Sequence, residues 1–185
     1  MKIDNNLTEF DNLLRLINAT NPELKLRADQ VKSVRAWMND SGIYTEKNSI
    51  VDIEMVEGRG FSGKNTFYYD RVTLQGFNVI PEYLPPLPVL LSDTPETILA
   101  RYAKRHELAS DTTLFTNYFS PPTADKMYGS ISIAVGGSSL LYHEASNLRL
   151  MRVDSLDEDL PIFIMTGNNT LDGFEPTRHQ LLRDQ

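Results

Sequence analysis

Apolar residues at helical spacing mark the beginning of the chain. Thr8, with Asp11 three residues later, is typical of a helix N-cap, and Pro22 disfavours a helical residue before it. The apolar residues between them recur every three to four positions: Phe10, Leu13, Leu14 and Ile17. Because such spacing brings side chains to one face of a helix, we expect a helix that begins near Thr8, ends before Pro22 and buries this face.

A second, shorter helix is predicted from Asp29 to Met38. Its apolar face would consist of Val31, Val34 and Met38, which are three or four residues apart. This helix would place the three side chains on one side of the first half of the chain.

Strict alternation replaces the helical spacing after Asn48. Asp52 and Glu54 alternate with a row of apolar residues: Val51, Ile53 and Met55. This pattern is typical of a strand with one buried face. Gly58-Arg59-Gly60 predicts a turn, and the aromatic and β-branched stretch Thr66–Leu74 predicts the returning strand of a hairpin.

Prolines interrupt the chain between Ile80 and Val89. Four of them lie in this stretch: Pro81, Pro85, Pro86 and Pro88. At this density they do not fit a paired central strand, so we interpret the stretch as a stiff, extended connector and a domain boundary.

The same order of elements begins again after the connector. Thr94-Pro95-Glu96 is typical of a helix start, with apolar residues at helical spacing behind it: Ile98, Leu99, Tyr102 and Ala103. Ile131–Val135 alternates as a strand, Gly136–Ser139 predicts a turn and Asn147–Val153 the returning strand. Ile162–Met165 is expected to add a further strand.

A weak internal repeat accompanies this order of elements. Phe61–Val72 aligns without a gap on Tyr142–Val153; each segment begins with an aromatic residue and ends with Arg-Val. Shared element order identifies repeat architectures even where identity is low. We therefore predict an α+β protein of two tandem small modules, each a helix packed on a β-hairpin or a small antiparallel sheet.

The predicted boundaries follow from the connector and from the polar end of the chain. Residues 1–79 form the first module, residues 80–91 the proline-rich connector and residues 92–165 the second module. Residues 166–185 are polar and rich in turn residues and are interpreted as a C-terminal arm.

Composition excludes several classes of function. The 185 residues include 25 acidic and 18 basic side chains, a net charge of −7, so a general affinity for nucleic acid is not expected. The absence of cysteine excludes a disulfide framework, a cysteine nucleophile and a thiolate metal site. No secretion signal is visible at the N-terminus. The longest apolar stretch, Leu84–Leu91, is too short to span a membrane.

Gly58, Gly63 and Lys64 have the spacing of a phosphate-binding loop. Asn65 stands where such a loop supplies a hydroxyl group, however, and strand-forming residues follow where a helix is required. We therefore favour a glycine-rich hairpin turn, and an enzyme that uses Lys64 at a degenerate phosphate loop is the less favoured alternative.

The other candidate sites have simpler interpretations. The three histidines, His106, His143 and His179, show no ligand spacing, and His106 is expected to end a helix, where a cation is favoured. The acidic residues around Asp154–Asp159 lack the spacing of a calcium loop and are interpreted as a solvated loop. We predict no catalytic residue, no metal and no cofactor.

Three short stretches carry a resemblance to a known class of proteins. They are Leu13-Leu14-Arg15-Leu16-Ile17-Asn18, Leu24-Lys25-Leu26-Arg27-Ala28-Asp29 and Tyr69-Asp70-Arg71-Val72-Thr73-Leu74. Together they resemble a module of virion structural proteins from large tailed bacteriophages. The resemblance implies a non-enzymatic component of the head, neck, tail or baseplate, made in the host bacterial cytoplasm and located in the virion.

The resemblance also implies the partners, namely other virion proteins and copies of the same chain. Neither a membrane nor nucleic acid is expected as a partner. The predicted assembly contacts are aromatic residues of the first hairpin and apolar residues of the arm: Tyr68, Tyr69, Phe174, Leu181 and Leu182. The alternative function is a glycan-binding decoration or adsorption module that uses the hairpin aromatics.

Overall fold

The computed structural model describes residues 1–40, 45–74, 86–154 and 156. Within these residues the chain forms two helices and nine strands, so the predicted α+β class is confirmed. In chain order the elements are α1 (Glu9–Thr20), β1 (Val31–Met38), β2 (Ser49–Met55), β3 (Lys64–Tyr69), β4 (Val72–Thr73), β5 (Leu87–Val89), α2 (Pro95–Arg105), β6 (Leu114–Ser120), β7 (Tyr128–Val135), β8 (Tyr142–His143) and β9 (Ala145–Arg152).

Both helices begin at the caps that the sequence predicts. The Thr8 hydroxyl accepts the backbone N–H of Asp11 at 3.0 Å, and the Thr94 hydroxyl accepts that of Thr97 at 3.4 Å. These bonds satisfy backbone donors that lack partners within the helix. The predicted apolar faces are buried at Leu13, Leu14 and Ile17 of α1 and at Ile98 and Tyr102 of α2.

The helix predicted over Asp29–Met38 is wrong, because Val31–Met38 is strand β1 and pairs antiparallel with β2. A bulge between Val31 and Ser33 adds one residue to β1. Val31 therefore lies opposite Met55 and Val34 opposite Ile53, on the same side of the sheet. The bulge thus produces a three-residue spacing of apolar positions that resembles a helical pattern.

The predicted first hairpin is confirmed as β2 and β3. Val51, Ile53 and Met55 are buried, and the connecting turn holds Gly58 and Gly60 at positive φ angles of 79° and 93°, which only glycine adopts readily. The sheet order is β1-β2-β3. The returning strand is shorter than predicted, because the chain leaves this sheet after Tyr69 and β4 pairs parallel with β8.

The second sheet has four strands in the order β5-β9-β7-β6. β7 and β9 confirm the predicted second hairpin, whereas β6 was not predicted. The described end of the proline-rich stretch forms the edge strand β5, parallel to β9. Val89 of this strand is buried, so this end packs against the second sheet instead of remaining extended in solvent. Pro88 fits there because an edge strand has one side without a partner.

The two halves of the chain share one hydrophobic cluster. It includes residues of α1 and β2 together with residues of α2, β7 and β9, and the β4–β8 pair joins the halves directly. The description as two tandem modules is not confirmed by this packing. The strand predicted over Ile162–Met165 and the arm over residues 166–185 lie outside the described residues.

Candidate assembly surface

A buried carboxylate joins α1 to the second half of the chain. The Glu9 Oε2 atom accepts the Ser139 hydroxyl at 2.7 Å and the backbone N–H groups of Leu140 at 2.5 Å and Leu141 at 3.3 Å. Its Oε1 atom accepts the Thr112 hydroxyl at 2.9 Å. Buried charges are retained only when such partners replace water, so Glu9 fixes the position of the 139–141 segment.

Arg71 also contacts this segment. Its Nη1 atom donates to the Ser139 carbonyl at 2.9 Å and its Nε atom to the Ser49 hydroxyl at 2.8 Å. Arg71 is 4% exposed, and burial lowers the pKa of its guanidinium. A cation and an anion, Arg71 and Glu9, therefore both bind one short segment.

His143 lies near Arg71, in strand β8 of the second half, which pairs with β4 of the first half. Its Nε2 atom is 3.4 Å from the Asn48 Nδ2 atom, and its Nδ1 atom has no hydrogen-bond partner in the described part of the chain. Glu144 Oε1 lies 3.7 Å from that Nδ1 atom. Burial is the main cause that lowers the pKa of His143, and the Arg71 charge acts in the same direction.

An open cleft of about 520 Å³ lies between β1 and these junction residues. One wall is formed by five consecutive residues of β1, Val34–Met38. The opposite wall is formed by the turn at 135–138 together with Arg71, Tyr142, His143 and Glu144. We call this feature the β1 cleft. Since β1 pairs with β2 alone among the described strands, the cleft lies beside an unpaired strand edge.

The outer face of the three-stranded sheet carries a row of apolar side chains across all three strands. Trp37 lies opposite Ile50, and Ile50 lies opposite Tyr68. Trp37 is 38% exposed and Tyr68 is 40% exposed. We call Trp37, Ile50 and Tyr68 the aromatic row, after the two aromatic residues at its ends. Exposed aromatic residues of this kind are enriched at protein interfaces.

Charged residues occupy the rest of this outer face and pair with one another. Lys64 forms an ion pair with Asp52, and the Lys32 Nζ atom lies 2.5 Å from Glu54 Oε1. These contacts lower the pKa of Asp52 and of Glu54, although burial opposes the shift at Asp52. Arg35 lies opposite Asp52, and its charge also lowers the pKa of Asp52, but no hydrogen bond or ion pair to Arg35 is found within the described ranges.

The outer face of the four-stranded sheet is mostly uncharged. Tyr118 is opposite Ser132, and Phe115 is opposite Ala134. Tyr118 is 58% exposed, the most among the aromatic residues of the described chain. The Arg149 guanidinium lies 5.0 Å from the centre of the Tyr128 ring, which is within the range of a cation–π contact.

The predicted assembly residues have different positions. Tyr68 lies in the aromatic row, on the surface. Tyr69 lies in the core at 4% exposed, and its hydroxyl donates to the Leu140 carbonyl at 2.5 Å, so its side chain stabilises this chain instead of contacting another. Phe174, Leu181 and Leu182 lie outside the described residues. Trp37 was not predicted because the surrounding segment was interpreted as a helix.

The glycine-rich segment is a hairpin turn, as the sequence analysis favoured. Gly58 and Gly63 lie between β2 and β3, and Lys64 is the first residue of β3. The Lys64 ammonium is directed to Asp52 on the sheet surface. A phosphate-binding loop requires a helix after the lysine, and here a strand follows.

The remaining candidates add no chemical site to this picture. Among the described residues no group of His, Asp and Glu side chains has the arrangement of a metal site. His106 is the C-cap residue of α2, as predicted, and its N–H donates to the Tyr102 carbonyl. No helix in the described ranges is long and apolar enough to cross a membrane.

Together the fold and the surface define a compact α+β chain with an open strand edge and exposed aromatic side chains. Residues 3–180 match the model of a family of unknown function, DUF7941. The chain therefore belongs to this family. No curated protein and no solved structure matches it.

Proposed function

We propose that this chain is a structural protein that acts through contacts with other protein chains, in the virion of a large tailed bacteriophage. The observation that carries the assembly role is the open edge of β1 beside the aromatic row. An unpaired edge offers backbone hydrogen bonds to another chain, and the aromatic row offers apolar area next to it. The virion as location rests on the resemblance carried by Leu13–Asn18, Leu24–Asp29 and Tyr69–Leu74.

The partners in this proposal are other virion proteins and copies of the same chain. The chain would be made in the host cytoplasm and would do no chemistry of its own. The fixed junction of Glu9 and Arg71 suits such a role, because a rigid surface loses little conformational freedom when it binds.

The first experiment is mass spectrometry of purified, intact phage particles, with peptide intensities scaled to the major capsid protein. A stoichiometric signal is expected, and its ratio would assign the chain to the shell, the tube or a vertex. Absence from clean particles would contradict the virion role.

A deletion tests the contribution of the C-terminal arm. Removal of residues 172–185 takes away Phe174, Leu181 and Leu182, and we expect it to abolish incorporation into particles while thermal unfolding is unchanged. Normal incorporation of the shortened chain would rule out these anchors.

The tandem-module description belongs to the same proposal. A shift of 81 residues, the one that aligns Phe61 with Tyr142, also brings β1 onto β6, β2 onto β7 and β3 onto β9. Each half then consists of a helix followed by three antiparallel strands, which supports an origin by duplication. Because the halves share one core, we expect a fragment of residues 1–79 to show no cooperative unfolding, and a sharp transition would argue for independent modules.

Glycan binding is the alternative that the exposed aromatics leave open. It predicts that a monomer binds saccharides and that Tyr68→Ala abolishes binding. Tyr69→Ala is unsuitable for this test because Tyr69 is buried. Phe115→Ala, on the other sheet, is a matched control of similar exposure.

A further inference from the structure

The open edge of β1 presents a regular set of backbone groups. The Asn39 N–H donates to the Asn48 carbonyl at 2.8 Å, so this pair is hydrogen-bonded. In an antiparallel ladder hydrogen-bonded and non-bonded pairs alternate. Arg35 and Trp37 therefore bond to β2, whereas the N–H and C=O groups of Val34, Ala36 and Met38 are directed outward, beside the β1 cleft.

The other strand edges of the two sheets are interrupted. On β3, the Thr66 N–H is occupied by the Asn65 side chain at 3.0 Å. On β5, Pro88 has no N–H group. On β6, a bulge lies between Thr116 and Tyr118, and the Thr116 hydroxyl bonds to Tyr118. Edge strands are commonly protected in these ways, and no such protection of β1 between Val34 and Met38 is found among the described residues.

The sequence of β1 is complementary to itself about Ala36. If two copies of β1 run antiparallel with Ala36 opposite Ala36, Arg35 of each copy lies opposite Trp37 of the other. Val34 then lies opposite Met38. The outward backbone groups fall in the hydrogen-bonded positions of this register, which allows about six backbone hydrogen bonds between the copies.

The side chains on the outer face supply charge complementarity in this register. Arg35 is exposed and makes no ion pair with the described part of the chain, and Trp37 is 38% exposed. Directly opposite side chains of a non-bonded pair come close together. An arginine facing a tryptophan ring forms a cation–π contact, and the two-fold arrangement repeats this contact twice.

On the inner face of β1, the β1 cleft leaves space for side chains from a second copy. Val34 and Met38 are partly exposed and line the β1 cleft, and each would pack beside its counterpart from the other copy. Ala36 is small and allows the strands to approach at the symmetry axis. The bulge at Val31–Ser33 ends the regular edge and so limits the number of possible registers.

We propose that two copies of this chain associate through β1 and form a continuous antiparallel sheet of six strands across the contact. The occupant of this edge is a second copy of the same chain. This inference deepens the proposed assembly function, on which it rests, by naming the partner and the register. A two-fold contact of this kind uses the same surface on both copies.

The test is sedimentation velocity of the full-length chain over a range of concentrations, with three variants. For the unchanged chain we expect dimers with a dissociation constant of about 100 μM or tighter. Ala36→Pro removes an outward N–H and leaves the β2 ladder intact, so it should weaken association at least about tenfold. Trp37→Arg places arginine opposite arginine and should weaken association to a similar degree.

The exchange variant Arg35→Trp with Trp37→Arg is the matched control. It restores an arginine opposite a tryptophan in the proposed register, and we expect a dissociation constant within about threefold of that of the unchanged chain. Thermal unfolding of every variant is measured in parallel. If Ala36→Pro fails to fold, Trp37→Arg and the exchange variant still test the β1 contact, since these positions lie on the surface.

Three results would overturn the inference: a monomer at all concentrations, dimers unaffected by both single changes, or an exchange variant as weak as Trp37→Arg. These results are independent of the particle experiment. A chain that dimerises through β1 and is absent from virions would retain the inference and reject the proposed function. A chain that is present in virions but stays monomeric in solution would retain the proposed function and reject the inference.

Discussion

The two halves of the molecule contain the same order of a helix and three antiparallel strands, yet they use similar residues differently. The first-turn acid Glu9 of α1 and the arginine Arg71 after β3 are buried at the junction. Their approximate counterparts in the second half, Glu96 of α2 and Arg152 at the end of β9, lie at the surface or partly exposed. The charged side chains buried at the junction therefore come from the first half, while the exposed Asp111 of the second half accepts the Glu9 backbone N–H.

The outer faces of the two sheets differ as well. The three-stranded sheet carries charged side chains that are paired with one another beside the aromatic row, whereas the four-stranded sheet carries small and aromatic side chains with few charges. The same arrangement of strands thus supports one electrostatically balanced surface and one mainly uncharged surface. The difference indicates that surface composition, more than topology, separates the roles of the halves.

The largest effect that would sharpen this comparison is expected from Glu9→Ala. The change leaves three buried donors and the partly buried Thr112 hydroxyl without their acceptor and leaves the Arg71 charge uncompensated, so the free energy of unfolding should fall by about 3 kcal/mol or more. Glu96→Ala, at an exposed position in the first turn of α2, should lower the free energy of unfolding by much less. Urea denaturation of both variants measures the difference, and equal losses would remove the asymmetry between the halves.

The two arginines provide a second contrast. Arg71→Met leaves the Ser49 hydroxyl and the Ser139 carbonyl without their donor, and we expect a loss of about 2–3 kcal/mol. The Arg152 Nη1 atom donates to the Thr123 and Ala124 carbonyls near the surface, where water can replace it, so Arg152→Met should cost about 1 kcal/mol or less. A larger loss from Arg152→Met would contradict the stated roles.

A pH experiment tests whether the junction is the acid-sensitive part. Because burial lowers the pKa of His143 in the folded chain, the unfolded chain binds more protons between the lowered pKa and the ordinary value of about 6.5. The contribution of His143 to stability is therefore complete above about pH 6.5 and is lost as the pH falls through this window.

The measurement is the unfolding midpoint as a function of pH for the unchanged chain and for His143→Gln. The variant should show a flatter profile as the pH falls below about 6.5. The surface carboxylates Asp52 and Glu54 have lowered pKa values, so their contribution is lost at lower pH and does not obscure the comparison. Identical slopes would exclude His143 as the cause.

The smallest effect is expected on the charged outer face. Lys64→Ala removes an exposed ion pair with Asp52, which is worth about 1 kcal/mol or less. Neither the unchanged chain nor the variant should be stabilised by magnesium and nucleotide. A nucleotide-dependent rise in the unfolding midpoint that disappears in Lys64→Ala would instead support the phosphate-loop alternative.

Elements with strong local signals could be read from the sequence. The caps at Thr8 and Thr94, the alternation of β2 and β7 and the glycine turn at residues 58–60 all depend on neighbouring residues, and each was predicted correctly. The α+β class follows from these elements. The same local reasoning failed at β1, because a bulge changed the spacing of Val31 and Val34, and it missed β6.

Only part of the candidate surface could be predicted from the sequence. The position of Tyr68 in an aromatic hairpin could be predicted, but the alternation of Tyr68 and Tyr69 between surface and core could not be assigned until the register with β2 was known. A register shift of one residue would exchange the two side chains. Trp37 entered the aromatic row only once β1 was recognised as a strand.

The sequence by itself determined the elements whose signals are local, together with the excluded chemistry: no cysteine, little histidine and an acidic net charge. The tertiary structure alone decided that Glu9 and Arg71 both bind residues 139–141, which are far away in the chain, and that β4 pairs with β8. It also decided which strand edge is open. Contacts between distant residues leave no periodic pattern in the chain, because they depend on how the elements pack and not on the spacing within any one of them.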